Sequence, residues 1–382
     1  MYKTVDPFYE PILDERGTKP LSEMTKEQTG FLCGLIKGKK PKKIVEVGVV
    51  AGVTTRIILK CMEMLNLFNT KLYSVDLSDF YYKDETKKTG YIVEQFKNGL
   101  KMYDNYTLLT GKLLAERIDM IAPDRDIDFL ILDTVHSLPG ELLDFILCLP
   151  YLKKGATVVL HDIRLNHQDG EFQAFATKIV FDVVTAEKYL LWKKPQDSNQ
   201  IMEIDSIGAF DIIDDTSKYI VDLFSALTIT WIYSPGDYAL DTYRKVISRN
   251  YNTECMQMWD SAVKMQKETM LEKYILEDRG GITQFTDLNK KWNAAQKVCI
   301  YGFGYKGKMY LQYATQKGLR VDAIVLSDYQ SNGDDNTVPP VISVSELSFS
   351  RDECSFINAG ERQESIKEIE NSIRYAGYYK IM

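Results

Sequence analysis

The 382-residue sequence predicts an α/β protein: a doubly wound, mostly parallel sheet, a helical connector, and a second, smaller α/β domain. Three observations predict it. From Lys43 to about Ile213, apolar and β-branched runs alternate with segments of helical spacing, the pattern of a parallel sheet buried on both faces. Two stretches, at 43–55 and again at 297–318, run from an apolar strand directly into a glycine turn and a helix start. Between them, residues 215–280 lose the strand pattern and become rich in Tyr, Met and Trp with helical periodicity.

Composition narrows the function classes. Hydrophobic residues make up 45% of the chain, enough for sizeable cores. The net charge of −7 argues against broad electrostatic binding to nucleic acid. No stretch reaches the roughly 18 apolar residues that a membrane-spanning helix needs. The opening residues, MYKTVDPFYE, are polar and lack the apolar centre of a leader. The six cysteines are scattered, with no CxxC pair. They read as reduced, buried thiols of a cytoplasmic protein, not as a zinc site or a disulfide framework.

Residues 1–42 form a helical lead-in. Phe31, Leu32, Leu35 and Ile36 give Thr25 to Lys37 a helical stripe, which Gly38 and Pro41 end. The next domain, 43–214, holds strands at 44–48, 71–77, 106–111, 127–133, 156–162 and 205–213. A seventh strand falls at 179–184 or 188–192, and one of the last strands is antiparallel at the edge. Helices are expected at 53–66, 91–103 and 139–150, with a polar, Tyr- and Lys-rich segment at 78–90. Residues 215–295 leave three roles open: a lid, a dimer surface in a homodimer, or a connector. Residues 296–382 repeat strand, glycine turn and helix, with further strands at 320–328, 354–360 and the final YYKI.

In open α/β sheets, ligands bind outside the carboxyl ends of the strands. Glu46, Asp76, Asp133, His161 and Asp162 stand at such ends and are expected to share one crevice. The first turn reads Glu46-x-Gly48-x-x-x-Gly52, without the GxG of a pyrophosphate turn. An acid two residues before the glycine repels phosphate and suits a cationic or hydrogen-bond-donating ligand.

These residues resemble the first motif, E/DxGxxxG, of class I S-adenosylmethionine-dependent methyltransferases. The stretch FLILDTVHSLPGELLDFILCLPYLKKGATVVLHDI (129–163) is similar to the small-molecule and sugar O-methyltransferase-like group, the methyltransferase family 24 type. The resemblance implies a seven-stranded methyltransferase sheet and S-adenosylmethionine as cofactor. It implies that Gly48 and Gly52 admit the methionine part of the cofactor. Glu46 would anchor the turn or receive the amino group through water, and Asp76 would take the ribose hydroxyls. Gly111 to Leu113 would flank the adenine, with Lys112 where the group often carries Asp or another polar residue.

Methyl transfer to a hydroxyl needs positioning and a base. The chain has three histidines, and His136 and His161 follow predicted core strands. Asp133-x-x-His136 resembles a sugar O-methyltransferase pattern in which the Asp binds a divalent metal and the His is the base; contact of Asp133 with the cofactor is the alternative. Asp162 falls at a second carboxylate-ligand position, which would suit Mg2+, although His161 replaces a third acid. Structural readings stand beside these: Asp133 as a helix cap, His136 as a loop histidine, His161 as a hydrogen-bonded core residue. Asp79, Tyr81, Tyr82 and Lys83 follow the second strand and read first as a solvated loop and second as substrate contacts; His167 reads as a loop residue.

In the last domain, Gly302-x-Gly304-x-x-Gly307 followed by Asp328 matches a dinucleotide fingerprint. The stretch resembles small Rossmann-like domains appended to sugar-modifying transferases, which serve as scaffolds or contact a nucleotide sugar. The leading expectation is a methyltransferase acting on a small-molecule substrate, a sugar, nucleotide sugar or other hydroxylated metabolite, in surface-glycan synthesis. The alternatives are a non-catalytic, nucleotide-sugar-binding scaffold protein and an NAD-dependent enzyme built on the last domain.

Overall fold

β1 (Lys43–Val47) lies between two parallel neighbours, and its side chains decide the layering. Ile44 and Val45 are wholly buried, on opposite faces of the strand, so the sheet must be covered on both sides. In the computed structural model, which describes residues 2–12, 24–193, 203–327, 339–360 and 362–382, the chain forms two compact units, Met1–Val263 and Lys264–Met382.

The first unit begins with α1 (Lys26–Lys39), β1, α2 (Val53–Met64) and β2 (Lys71–Val75). A hairpin of β3 (Phe80–Tyr81) and β4 (Asp84–Lys88) follows, then α3 (Tyr91–Phe96), β5 (Tyr106–Leu109) and α4 (Ile118–Ile121). Next come β6 (Ile127–Leu132), α5 (Gly140–Cys148), β7 (Leu152–His161), α6 (Ala176–Val183), β8 (Glu187–Lys193) and β9 (Glu203–Asp211). Four helices continue the chain: α7 (Asp214–Lys218), α8 (Ile220–Ala226), α9 (Asp237–Ser248) and α10 (Thr253–Asp278), within which the unit boundary falls.

The seven strands run in the order β5-β2-β1-β6-β7-β9-β8. The first five are parallel, and β9 is antiparallel to both β7 and β8. The expected seven-stranded, mostly parallel sheet is present. β9 does not sit at the edge; it is inserted between β7 and β8.

Several local expectations need correction. Residues 179–183 are helical, because Ala176, Thr177, Val180 and Phe181 form a buried stripe at helical spacing; the strand is 187–193. α1 runs through Gly38 and ends where Lys40 turns left-handed, its N–H bonding to the Ile36 carbonyl at 2.8 Å. The polar segment at 78–90 contains the β3–β4 hairpin, and the helix from residue 91 stops at Phe96. Thr25 and Gln28 close α1 with a reciprocal capping box. Lys39 ties that helix to β9 through Asp211, at 2.6 and 2.8 Å.

Gly48 fixes the central crossing. Its φ is +95°, and a Cβ there would lie 1.8 Å from the carbonyl oxygen of Asp133. The turn after β1 therefore rests directly on the backbone that leaves β6. Gly52 packs in the same way on Gly90, where a Cβ would lie 2.9 Å from its Cα. In the first unit both glycines are explained by close backbone packing.

The second unit carries α11 (Ile282–Ala294), β10 (Lys297–Tyr301), α12 (Tyr305–Lys317), β11 (Ala323–Leu326), β12 (Val341–Ser343), β13 (Cys354–Asn358) and α13 (Gln363–Tyr375). Its four parallel strands run β12-β11-β10-β13. The final YYKI makes a single bridge, Phe356 to Ile381, instead of a strand. Gly307 is required because a Cβ would meet the Gly302 carbonyl at 2.0 Å. Asp328, the expected ribose-binding acid of this unit, lies outside the described residues.

Gly48→Ala is expected to lower the unfolding free energy by about 3 kcal/mol or more, from positive-φ strain and the backbone clash together. Gly38→Ala, with nothing within 4 Å of its Cβ, is expected to raise it by about 0.5–1 kcal/mol. Urea unfolding of both variants beside the wild type checks the pair.

Candidate functional site

The turn after β1 is held by a carboxylate. Asp76, just past β2, accepts the N–H groups of Val49 at 2.9 Å and Val50 at 3.1 Å on Oδ2, and that of Ser78 at 2.9 Å on Oδ1. Val50 is a β-branched residue at φ +54°, a conformation that costs about 1–3 kcal/mol and persists only where its surroundings enforce it. The Asp76 bond to its N–H and the Gly90 N–H bonded to its carbonyl enforce it here.

Glu46 stands one layer below the crevice. It is 1% exposed, and its Oε2 accepts the hydroxyls of Ser74 at 2.6 Å and Thr55 at 2.7 Å. It thus joins β1 to β2 and α2 and does not line the open space above the turn. Burial pushes its carboxyl up to about 7, against the pull of the two hydroxyls.

Two imidazoles and two carboxylates form a box at the ends of β6 and β7. His161 Nδ1 is 3.1 Å from Asp133 Oδ1 and 3.2 Å from Asp162 Oδ2. On the other side, His136 Nε2 is 3.6 Å from the same Asp133 oxygen and 3.4 Å from the same Asp162 oxygen. Behind His136, the fully buried Glu141 of α5 places Oε1 3.0 Å from Nδ1 and accepts the backbone N–H groups of His136 and Thr134. Behind His161, Nε2 meets Gln28 Oε1 at 3.3 Å, and the Gln28 amide donates to Asp205 at 2.7 Å. His136 and Asp162 both adopt left-handed backbone, at φ +56° and +59°.

The box sets the charge states. Burial alone would lower the His136 pKa, but Glu141, Asp133 and Asp162 outweigh it and hold the imidazole at about 9. His161 is likewise raised against its burial by Asp133 and Asp162. Burial would raise Asp133, yet the neighbouring imidazoles bring it below its ordinary value; Asp162 stays above its own because burial prevails. Two carboxylates at one site are thus pushed apart.

Beside the box, a cavity of about 450 Å³ opens over the strand ends. Gly48, Val50, Asp76, Asp133 and Thr134 form its floor. Leu77, Phe80 and Tyr82 line one wall, so the largely exposed segment around the β3–β4 hairpin reaches the cavity through Phe80 and Tyr82, and Lys112 and Leu113 extend it. Leu143, Asp144, Tyr233, Ala239 and Tyr243 form the opposite wall. Of the predicted residues, Gly48, Asp76, Lys112 and Asp133 line the cavity, whereas His136 and Asp162 face Asp133 from the box. Gly52 packs on Gly90, and Gly111 lies against the Asp79 carboxylate.

Residues 45–163, which carry the turn, Asp76 and the whole box, match the family model described as "Methyltransferase domain". Over this segment the chain is similar to methyltransferase domains, and its sheet is consistent with the class I methyltransferase fold. No curated protein matches the chain. Among solved structures, the O-methyltransferase TomG from Streptomyces achromogenes, in complex with SAM, is similar at 11% identity and a TM-score of 0.37, over 51% of this chain and 83% of its own. The O-methyltransferase from Bacillus cereus, in complex with SAH, is similar at 12% identity and a TM-score of 0.36, over 50% and 84%. The assignment rests on the family match.

The site also holds residues that the sequence did not single out. Glu141 and Gln28 flank the box, and Asp144, Tyr233 and Tyr243 line the cavity. Glu141 stands five residues after His136, and that local signal could have drawn attention to it. Gln28 and Tyr243 reach the site only through tertiary contacts.

Glu46 makes a testable contribution to stability. Its folded pKa is raised, so the fold holds more protons than the unfolded chain between about pH 4.5 and 7, and stability falls as pH rises through that window. Glu46→Gln retains an acceptor for both hydroxyls. Its stability relative to wild type is expected to improve by up to about 3 kcal/mol between pH 4 and pH 8, read by urea unfolding across pH. A difference independent of pH would contradict the assignment.

Proposed function

We propose that the methyltransferase domain transfers a methyl group from S-adenosylmethionine to a hydroxyl oxygen of a small acceptor. The acceptor class is a sugar or other hydroxylated metabolite, of the kind modified in surface-glycan synthesis. One observation carries the reading: the cavity places the Asp76 carboxylate and the charged Asp133 box on either side of the Gly48 turn. A dipolar cofactor with a diol in its middle matches that order.

The residues present fit the cofactor. Turn amides occupy Asp76 Oδ2 twice and Oδ1 once, so the carboxylate keeps room on Oδ1 for a ribose hydroxyl. The walls around Leu77 and Leu113 are apolar and suit a flat base. When bound, the cofactor supplies an electrophilic methyl group. The protein orients it and takes up the proton lost by the acceptor.

That proton goes to the coupled set of His136, Asp133 and Asp162. An imidazole held at about 9 already carries its proton at neutral pH, so the open acceptor of the set is a carboxylate, Asp162, which burial holds above its ordinary value and which His136 orients across 3.4 Å. The same atoms fit a divalent ion: Asp133, His136 and Asp162 each offer a ligand atom, all within 4.8 Å of one another. Glu141 behind Nδ1 is the kind of partner that orients a metal-bound imidazole. A bound ion would polarise the acceptor oxygen. An imidazole among the ligands suits Mn2+, Fe2+ or Zn2+ better than Mg2+.

Calorimetry with S-adenosylhomocysteine tests the cofactor. Wild type is expected to bind it and Asp76→Ala to bind at least about tenfold more weakly; no binding by wild type, or equal binding by the variant, refutes the reading. Release of S-adenosylhomocysteine with hydroxylated acceptors tests the chemistry. His136→Gln is expected to lose about 100-fold or more in turnover while cofactor affinity is unchanged. Full turnover by that variant rules out His136 as part of the proton acceptor.

A further inference from the structure

The family match ends at residue 163, but the cavity does not. Its outer wall is built by the segment before α9 and by α9 itself, through Tyr233, Pro235, Gly236, Ala239 and Tyr243. This wall is fastened to the domain. The N–H of Ile232 donates to the Leu138 carbonyl at 3.0 Å, and the Tyr238 hydroxyl donates to Glu116 at 2.8 Å. Farther along, the Arg249 guanidinium meets Asp119 at 2.9 Å and the Tyr251 hydroxyl donates to the Ile146 carbonyl at 2.6 Å. A segment held at these points is a fixed wall.

A base bound beyond Asp76 would lie between apolar side chains and meet few polar groups. An exocyclic amino group is a donor and needs an acceptor. Lys112 has donors only. Ser78 is committed, its hydroxyl donating to the Phe80 carbonyl at 2.7 Å and accepting the Phe80 N–H at 3.1 Å. Asp144 remains. It lines the cavity from α5, is 7% exposed, and is fixed by the Tyr243 hydroxyl, which donates to Oδ1 at 2.6 Å. A carboxylate has about four acceptor sites; Tyr243 uses one and the Thr134 hydroxyl can take a second, which leaves room for a further donor.

We infer that Asp144, positioned by Tyr243 of α9, reads the exocyclic amino group of the cofactor's purine and so sets selectivity for adenine. This rests on the reading of the cavity as the S-adenosylmethionine site. It assigns the helices after the sheet a part in cofactor selection. Asp144 touches the base; Tyr243 is a positioning residue.

The test compares S-adenosylhomocysteine with S-inosylhomocysteine, in which a carbonyl oxygen replaces the amino group, by calorimetry on the full chain. At about pH 8.5, above the value of about 7 to which burial pushes Asp144, an oxygen facing its carboxylate loses the hydrogen bond and meets like charge, so wild type is expected to prefer the adenine compound by about tenfold or more. In Asp144→Asn, whose amide can turn to donate or accept, the preference is expected to fall to within about threefold. Tyr243→Phe, which keeps the ring and frees the carboxylate, is expected to give an intermediate preference and serves if Asp144→Asn does not fold. Equal binding of both compounds by wild type overturns the Asp144 assignment and leaves the cofactor reading standing. Undiminished preference in Asp144→Asn also overturns it. Binding of neither compound by wild type overturns the cofactor reading itself.

Discussion

The approach of Gly48 to the Asp133 carbonyl is the constraint on which the site depends. Any side chain at residue 48 would occupy the space of that oxygen. Contact between the two backbones places the turn after β1 over the end of β6. The Asp76 carboxylate, which gathers the amides of Val49 and Val50, and the Asp133 carboxylate, which faces two imidazoles, then share one cavity. Neither carboxylate could be moved independently, because Val50 is held left-handed by bonds to Asp76 and Gly90. The backbone strain lies at the turn that the ligand would touch, which is where a scaffold tolerates it.

The electrostatics of the box follow from its burial. Four titratable groups within a few ångströms cannot all take their ordinary states in a low-dielectric site. The two aspartates raise both imidazoles above their ordinary values, with Glu141 adding to the effect on His136, and the imidazoles in turn bring Asp133 below its own. The arrangement is internally compensated, and a cation arriving there would compete with protons for the same oxygens. Proton uptake and any ion binding at this place are therefore linked.

Much of this was legible in the sequence, and the physical reason is local. Buried parallel strands carry unbroken apolar runs, so β1, β2, β6 and β7 could be placed, and the rule that ligands lie beyond carboxyl ends picked out Asp76, Asp133 and Asp162. Glu46 was less legible. Its position on the strand is visible, but the two hydroxyls that bury it come from Ser74 and Thr55 on other elements. The stretch 179–183 was ambiguous because a short apolar run suits either a strand or a buried helix. The β3–β4 hairpin was hidden by its polar residues, since it pairs only with itself. Tyr243 and Asp144 meet across 99 residues of chain, a distance over which no periodicity speaks.

The outer wall of the cavity has a consequence for the growing chain. Synthesis runs from the amino end, and domains fold as they emerge. The segment with the glycine turn and the box is complete at residue 163, but Tyr243, which closes the cavity, follows about 80 residues later. During that interval the sheet draws less on the ligand for stability, because the compartment that would hold it has Leu143 and Asp144 on its second side but lacks Tyr233, Ala239 and Tyr243. The early domain must stand mainly on its own packing, and the small molecule acts in full as a folding ligand only after α9 has docked.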